Sequence, residues 1–203
     1  MLTKLKEKVQ QKFTAEAKAA HRIGLTPSMI SAIGMALAFL SALAYAEWQL
    51  NTLYLLLATA LLLLSGFCDA LDGIVARLYG KTTVFGGFLD SLLDRYADAA
   101  LYVGIIIGGL CDARWGLGAI VGSLLVSYSR ARAEAAGIKM ESIGLAERAE
   151  RMIILAVATT AAMFWQPTTV MNASTILLAV LSNLTVLQRS VYVYNKSKKK
   201  GIN

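Results

Sequence analysis

The chain has few of the residues that build soluble domains, disulfide scaffolds or thiolate metal sites. Charged residues make up only 16% of its 203 positions and hydrophobic residues 57%, which is too apolar for an ordinary soluble domain. Its two cysteines, Cys68 and Cys111, give no disulfide framework and are expected to pack as small hydrophobic residues. The single histidine, His21, stands in a basic stretch and is expected to be structural. The charged first residues lack a continuous apolar core, so no cleavable signal peptide is expected.

Long apolar runs are the dominant feature of the sequence. A helix needs about 20 apolar residues to cross about 30 Å of hydrocarbon. Six runs approach that length, at residues 25–46, 51–76, 86–110, 115–135, 151–165 and 169–194. The fifth run is short and begins in charged residues, and Gln166 with Pro167 predicts a turn before the sixth. The sequence therefore predicts an all-α integral membrane protein with six transmembrane helices.

The basic residues fall almost entirely on one side of this six-span arrangement. Both termini share that side, and the opposite loops hold only Arg114. The positive-inside rule makes the basic side cytoplasmic. The net charge of +7 then reflects topology and attraction to anionic lipids. No basic module interleaved with aromatic residues is present, so nucleic-acid binding is not expected.

The segment before the first span predicts an amphipathic helix that lies in the membrane interface. Leu2, Leu5, Val9 and Phe13 recur at helical spacing with lysines between them. A basic anchor that only sets topology explains this pattern as well as a role at an active site does. The chain accordingly divides into an interfacial helix, a six-helix membrane domain and a basic cytoplasmic tail at residues 1–24, 25–195 and 196–203.

Carboxylates cluster where the second and third spans approach the cytoplasmic boundary. On a helix that advances about 100° per residue, Asp69 and Asp72 share one face of the second span. Asp90 and Asp94 likewise share one face of the third span, with Asp98 at its edge. Ionised carboxylates gathered at the mouth of a low-dielectric bundle are costly unless they are protonated or neutralised.

Two explanations would account for these acids. In the first, Arg77 and Arg95 form interhelical salt bridges that hold the two spans together, although apolar packing would serve that purpose at lower cost. In the second, divalent cations neutralise the acids, and ligands that are all oxygens favour Mg²⁺, Mn²⁺ or Ca²⁺. Two such ions can bridge a pyrophosphate, which makes phosphoryl transfer the favoured chemistry.

Eight residues in this region, with every gap matched, resemble the pattern D-x-x-D-G-x-x-A-R-x8-G-x-x-x-D-x-x-x-D of the CDP-alcohol phosphotransferases. They are Asp69, Asp72, Gly73, Ala76, Arg77, Gly86, Asp90 and Asp94. The resemblance implies an enzyme that moves a phosphatidyl-type group from a CDP-linked lipid to an alcohol and releases CMP. It also implies a polar cavity open to the cytoplasm and a homodimer.

The resemblance further implies a role for each residue of the pattern. Two divalent ions, Mg²⁺ or alternatively Mn²⁺, would be held by Asp69, Asp72, Asp90 and Asp94, and Asp94 would also act as the catalytic base. The CDP-lipid site would be lined by Gly73, Ala76, Arg77, Thr83, Gly86, Thr26, Pro27, Ser28 and Met29. The lipid chains, diacylglycerol or archaeol, are left open because an apolar groove accepts either.

Four arginines are candidates for binding a phosphate on the acceptor alcohol, because a guanidinium fork matches phosphate geometry. They are Arg130, Arg148, Arg151 and Arg189. Alternatively, they bind lipid headgroups or pair with Glu134, Glu147 and Glu150. The elements R-A-R-A-E-A-x-G, E-R-x-E-R and T-x-x-Q-R that contain them resemble the branch of the family that uses inositol phosphate. That branch comprises the phosphatidylinositol phosphate synthases and their archaetidylinositol counterparts, many of which have lysine at the position of Arg130.

Three alternatives to the transfer of a lipid group onto inositol phosphate would use similar residues. Glycerol 3-phosphate is an alternative acceptor because it too presents a phosphate. A divalent-cation transporter also uses membrane aspartates, but transporters commonly contain internal repeats around a midplane site, and none is evident here. A prenyl-transferring enzyme uses aspartates and Mg²⁺ on a diphosphate, but the D-G-x-x-A-R spacing is not its signature.

Overall fold

The structure, a computed structural model, describes residues 13–140 and 143–200, without the side chains of residues 199 and 200. Within that part of the chain the α-helices are α1 (Thr14–Arg22), α2 (Pro27–Ala46), α3 (Leu53–Leu78), α4 (Val84–Ile107), α5 (Ala113–Ala135), α6 (Arg148–Ala162) and α7 (Pro167–Lys200). A short 3₁₀ turn, Trp48–Leu50, separates α2 from α3. The described residues contain no strand, so the all-α prediction is confirmed.

Three of the long helices begin at side chains that cap their first backbone amides. Thr26 Oγ1 accepts a 3.3 Å hydrogen bond from Met29 N at the start of α2, where Pro27 occupies the first helical turn. Thr83 Oγ1 accepts a 2.9 Å hydrogen bond from Gly86 N at the start of α4. Asp112 caps α5 in the same way. These caps place the helix starts within three residues of the predicted ones.

The six helices α2 to α7 form a closed ring. Each of them packs against two neighbours in the order α2, α3, α6, α7, α5, α4 and back to α2. The α2–α4 contact is the closest, because a Cβ added at Gly104 or Gly108 would lie 2.2 Å from the backbone oxygen of Ala42 or Tyr45. Glycine at these positions lets the two backbones touch, as small residues do in membrane helices. The ring brings α3, α4 and α6, which carry most of the candidate site residues, around one interior.

Three of the described helices are long and apolar enough to cross a membrane: Pro27–Ala46, Leu53–Leu78 and Pro167–Lys198. They correspond to the first, second and sixth predicted spans. By contrast, α4 carries four charged side chains and α6 has only 15 residues. Leucines and valines on the outer faces of the ring are more than half exposed, including Leu43, Leu63, Val157 and Leu187, as lipid-facing residues would be.

Helix α1 packs beside the last third of α3. The rings of Phe13 and Phe67 meet edge to face with centroids 5.1 Å apart, and His21 stacks on Tyr79 at 3.6 Å. Between these pairs, α1 buries two of its four alanines, Ala17 and Ala20, in the same apolar cluster as α3. The other apolar positions of the predicted interfacial helix, Leu2, Leu5 and Val9, lie outside the described residues. At the other end of the chain, α7 runs unbroken through residue 196, where the basic tail was predicted to begin.

Candidate functional site

The acidic faces of α3 and α4 meet in the interior of the ring. Carboxylate oxygens of Asp69, Asp90 and Asp94 all lie within 4.8 Å of one another. Asp90 and Asp94 are one helical turn apart on α4, whereas Asp69 comes from the last third of α3. All three side chains are only partly buried, so the cluster remains open to a ligand. Three anionic oxygen donors at this separation fit a hard divalent cation.

Asp72 lies in the same place but is held differently. Its Oδ2 accepts a 2.6 Å hydrogen bond from the hydroxyl of Ser31 on α2, and the residue is only 5% exposed. Asp72 lines one pocket together with Asp69, Asp90 and Asp94. The structure thus brings the four predicted aspartates together, with three clustered and the fourth turned towards α2.

A positive charge from α6 lies among these acids. Arg148 Nη1 is 2.7 Å from Asp69 Oδ1 and also 2.7 Å from Asp94 Oδ1, while Arg148 Nε is 3.2 Å from Asp98 Oδ1. Arg148 is one of the four predicted acceptor-phosphate arginines, and its guanidinium lies at the carboxylate cluster, while its binding of an acceptor phosphate stays a prediction. The side chain offsets part of the negative charge in a partly buried region, where uncompensated acids would be costly.

Two residues that sequence analysis did not assign to the site belong to it. Asp98 binds Arg148 and Arg151 and accepts a 3.0 Å hydrogen bond from Ser123 Oγ. Its signal was its position four residues after Asp94, which continues the acidic face of α4 by one turn. Ser31 gave no such signal, because only the packing of α2 on α3 shows what its hydroxyl contacts.

The other three candidate acceptor arginines lie on the α5, α6 and α7 side of the ring. Arg189 is 2% exposed and donates to the backbone oxygens of Ile143 and Val126, and Arg130 and Arg151 are close enough to interact with its charge. Arg151 donates to Asp98 at 2.6 Å and to the backbone oxygen of Ala146 at 3.0 Å. Arg130 and Arg151 therefore lie near enough to Arg189 for their charges to interact with it, Arg151 and Arg189 also make buried backbone contacts, and the predicted binding of an acceptor phosphate stays a prediction.

The pairing of arginines with glutamates, raised as an alternative, is present for two of them. Arg130 Nε lies 2.9 Å from Glu134 Oε1 one turn along α5. Arg189 Nη2 lies 3.6 Å from Glu147 Oε1 at the start of α6. An acceptor phosphate at these arginines would have to compete with both carboxylates.

The candidate CDP-lipid residues lie at the ends of α2, α3 and α4. Gly73 faces the side chain of Arg77, since a Cβ added at Gly73 would lie 3.2 Å from Arg77 Nη1. A Cβ added at Gly86 would lie 2.9 Å from Thr83 Oγ1. Thr26 and Thr83 cap α2 and α4, so each already has a structural role, and Met29 is 49% exposed near the first of these caps. The predicted nucleotide-binding role of these residues stays a prediction.

If arginines only tied α3 to α4, Arg95 would form an interhelical salt bridge. The structure shows a different contact for Arg95. Its guanidinium donates to the backbone oxygen of Ser91, one turn earlier on its own helix. The ion pairs that reach the acids of both helices come from Arg148 on α6. The charge that links α3 and α4 in this structure is therefore supplied by a third helix.

Comparison with known proteins gives consistent matches over most of the chain. The family model described as CDP-alcohol phosphatidyltransferase matches residues 24–187. The archaetidylinositol phosphate synthase of Methanothermobacter thermautotrophicus is 43% identical over 179 residues, which cover 88% of each chain. The synthase of the same name from Pyrococcus horikoshii is 39% identical over 204 residues, which cover 98% of each chain.

Solved structures of one further protein have the same fold. The crystal structure of the phosphatidylinositol phosphate synthase of Mycobacterium tuberculosis with CDP-DAG bound has a TM-score of 0.76 at 31% sequence identity, and the match covers 89% of this chain and 92% of that one. A second crystal structure of that synthase, in complex with manganese and citrate, also matches with a TM-score of 0.76. Together with the carboxylate cluster on α3 and α4, these structures favour a divalent-metal site in this chain.

Proposed function

The chain belongs to the CDP-alcohol phosphatidyltransferase family, and we propose that it transfers the phosphatidyl or archaetidyl group of a CDP-linked lipid to a hydroxyl of inositol phosphate. In this reaction the acceptor oxygen forms a bond to the lipid-side phosphorus of the diphosphate. The bond between that phosphorus and the oxygen bridging to CMP breaks, and CMP leaves. The names of the relatives support inositol phosphate as acceptor, and the family gives the divalent-cation transporter no support.

The observation that carries this proposal is the convergence of Asp69, Asp90 and Asp94 within 4.8 Å. With Asp72, they would hold two divalent ions, Mg²⁺ or Mn²⁺. When bound, such ions neutralise a diphosphate and withdraw charge from the phosphorus under attack. The all-oxygen donor set and the partial exposure of the three clustered side chains suit a metal that shares its coordination with a phosphate substrate.

Asp94 is proposed as the base that takes the proton of the acceptor hydroxyl. It is the last of the clustered acids along α4, and Arg148 contacts one of its oxygens, Oδ1. Its other oxygen, Oδ2, is proposed to face the acceptor. A carboxylate within hydrogen-bond reach of the attacking hydroxyl contributes by accepting its proton as the new bond forms.

The CDP-lipid is proposed to bind between the ends of α2, α3 and α4. Gly73 and Ala76 leave space beside α3, and Arg77, whose guanidinium lies over Gly73, pairs with a phosphate. Gly86 leaves space at the start of α4. The capping residues Thr26 and Thr83, with Pro27 to Met29, are proposed to contact the nucleotide, and the lipid is CDP-diacylglycerol or CDP-archaeol.

The acceptor phosphate is proposed to bind Arg130, Arg151 and Arg189, with Arg148 between it and the carboxylate cluster. Asp98 connects the two regions, because Arg148 and Arg151 both bind it. A phosphate held by these arginines would present the neighbouring hydroxyls of the inositol ring towards Asp94. Arginine is suited to this role because its charge persists at every accessible pH.

In the membrane, α2 to α7 are proposed as six spans, with both termini and a polar cavity on the cytoplasmic side and a homodimer as the assembly. The ring closes only when α4, α5 and α6 lie beside the three apolar spans, which favours a common orientation for all six. The charged residues of α4 face the interior at Asp94 and Asp98, so they do not require contact with lipid.

The proposed acceptor is tested with purified protein, CDP-lipid and divalent metal. Parallel reactions contain inositol 1-phosphate, free inositol, glycerol 3-phosphate or serine, and CMP release is measured. We expect inositol 1-phosphate to give a kcat/KM at least about 100-fold above the other acceptors, since a buried polar site discriminates strongly against a missing partner. Comparable rates with glycerol 3-phosphate would contradict the proposal.

A further inference from the structure

Asp98 is a buried carboxylate that receives donors from two other helices of the ring. Its Oδ2 accepts hydrogen bonds from Ser123 Oγ at 3.0 Å and from Arg151 Nη2 at 2.6 Å. Its Oδ1 accepts from Arg148 Nε at 3.2 Å. Both oxygens are therefore used by protein donors, unlike those of Asp69, which remains partly exposed beside the pocket. Asp98 thus differs in role from the clustered acids.

One guanidinium connects Asp98 to the carboxylate cluster. Arg148 places Nε on Asp98 and Nη1 between Asp69 and Asp94, so different nitrogens of the same planar group serve the two sites. The Nη1 atom makes its contacts as ion pairs rather than as directed hydrogen bonds. The Nε contact with Asp98 is the directed one, and it fixes how the plane of the guanidinium is presented to the cluster.

The same carboxylate also fixes the loop that leads into α6. Arg151 binds Asp98 with Nη2 and the backbone oxygen of Ala146 with Nη1. Ala146 N donates in turn to Thr185 Oγ1 on α7 at 3.2 Å. The start of α6, where Arg148 stands, is therefore held in place from both sides.

Holding the helices together does not by itself explain why these side chains converge on Asp98. A buried ion pair generally contributes no more stability than apolar side chains of the same size, because desolvation offsets the attraction. Three side chains from α5 and α6 nevertheless converge on one carboxylate a single turn from Asp94. What the ion pairs add beyond packing is a defined position for Arg148.

We propose that Asp98 is a positioning residue that acts through Arg148, holding its guanidinium in line between the metal-binding carboxylates and the acceptor phosphate. This inference rests on the proposed function. It assigns a role to a fifth aspartate besides the four of the motif. In this proposal Asp98 binds neither metal nor substrate, so its role differs from theirs. The part of its contribution that passes through Arg148 should therefore disappear when Arg148 is absent, and only its contact with Arg151 remains.

A double-mutant cycle tests this dependence. Asp98→Asn, Arg148→Gln and the double variant are compared with the wild type, and kcat and KM for inositol 1-phosphate are measured separately. Asp98→Asn removes the charge that Arg148 and Arg151 both contact and one of the two acceptor oxygens, and we expect it to lower kcat/KM by about 30-fold in the otherwise wild-type protein. In the Arg148→Gln background, the same substitution should change kcat/KM by less than about tenfold, since only the contact of Asp98 with Arg151 is then lost. Equal losses in both backgrounds would overturn the proposal, because a general structural defect does not depend on Arg148.

The thermal unfolding midpoint in detergent shows whether Asp98→Asn folds. If it does not fold, a second variant, Arg148→Lys, tests the proposal. Arg148→Lys keeps the charge, but a single ammonium has no Nε and Nη1 to serve Asp98 and the cluster at once. We expect Arg148→Lys to lose as much kcat/KM as Arg148→Gln. A lysine variant with more than about one third of wild-type kcat/KM would show that charge suffices, and the positioning role would be excluded.

Failure of this inference is distinguishable from failure of the proposed function. When wild-type protein releases no CMP with inositol phosphate and metal, the proposed function fails. When wild-type protein is active and the cycle is additive, only the role of Asp98 fails. Ser123→Ala serves as a matched check, since it removes the hydroxyl donor from Asp98 and leaves both arginine contacts in place. We expect it to lower kcat/KM by less than about fivefold.

Discussion

Ser31 on α2 and Asp72 on α3 are joined by a 2.6 Å hydrogen bond, although they are 41 residues apart in sequence. This bond turns Asp72 towards α2, whereas Asp69, Asp90 and Asp94 cluster on their own. The hydroxyl therefore determines how the fourth acid presents its remaining oxygen to the pocket. The relationship could be found only from the packing of the two helices.

We predict that Ser31→Ala weakens divalent-metal binding. A hydrogen bond to a charged group contributes about 1.5–3 kcal/mol, so the metal concentration for half-maximal binding should rise about 10- to 100-fold. Manganese binding to the purified protein, followed by electron paramagnetic resonance, measures this directly. Ser41→Ala is the matched control, because Ser41 also lies on α2 and also bonds to α3, through the backbone oxygen of Ala58. An equal effect of both substitutions would contradict a specific role for Ser31.

Asp94→Asn should abolish turnover while leaving substantial CDP-lipid binding. A general base contributes about 10²–10⁴ in rate, and we expect kcat to fall about 10³-fold. Binding of labelled CDP-lipid should change by less than about threefold, because one carboxylate at the edge of the cluster affects proton removal more than docking. CMP release and CDP-lipid binding are measured on the same preparation.

Asp112→Asn is the control for this substitution. Asp112 lies in the loop between α4 and α5, and hydrogen bonds from Arg114 lower its pKa to about 2. Like the proposed base it is an aspartate, but it lies at the other end of α4 from the acids of the pocket. Normal turnover by Asp94→Asn, or loss of turnover by Asp112→Asn, would remove Asp94 from the role of base.

Gly73→Ala should weaken CDP-lipid binding through Arg77. The added Cβ would lie 3.2 Å from Arg77 Nη1, so the guanidinium must shift by a few tenths of an ångström from its position over Gly73. We expect KM for the CDP-lipid to rise about tenfold, which corresponds to about 1.4 kcal/mol, with a smaller change in kcat. Gly87→Ala is the control, because a Cβ at Gly87 meets nothing within 4 Å. If Gly73→Ala leaves this KM unchanged, Arg77 does not pair with the lipid diphosphate.

Arg189→Ala should raise KM for inositol phosphate strongly and also lower the unfolding midpoint. Its removal deprives the backbone oxygen of Ile143 of its Arg189 donor, whereas that of Val126 keeps a 2.9 Å hydrogen bond from Ser129 Oγ, and a buried unsatisfied group costs about 1–3 kcal/mol. Arg130→Ala should raise the same KM with little loss of stability, since the exposed Arg130–Glu134 pair contributes about 0.5 kcal/mol at most. Arg132→Ala, at an exposed site on the same turn, should change neither quantity. An unchanged KM in Arg189→Ala would exclude that arginine from acceptor binding.

The helices were predictable because apolar runs and their interruptions are local features. Each described helix from α2 to α7 begins within three residues of its predicted span, and Pro27 and Pro167 begin helices as expected. The extent of α7 beyond residue 194 was not predicted, because its last turns are polar and have no apolar signal. The convergence of the four aspartates was predictable as well, because their spacing places them on two helix faces.

The partners of the arginines were not predictable, because they depend on which helices are neighbours in the ring. Placement of α6 beside α3 brings Arg148 to Asp69, and no local pattern in the sequence specifies this neighbour. Arginine also reaches far from its backbone, so a position on a helix leaves the position of the guanidinium open. Asp98 was visible as one more acid on α4, but its role follows only from the ion pairs with α6.

The central claim is that acids of α3 and α4 meet to hold divalent metal that CMP release requires. The most direct test is CMP release by the purified wild-type protein with CDP-lipid and inositol 1-phosphate, before and after chelation and after metal is restored. We predict CMP only when metal and inositol 1-phosphate are both present, with recovery on restoring Mg²⁺ or Mn²⁺. CMP release that continues at the same rate in the presence of chelator would contradict the account.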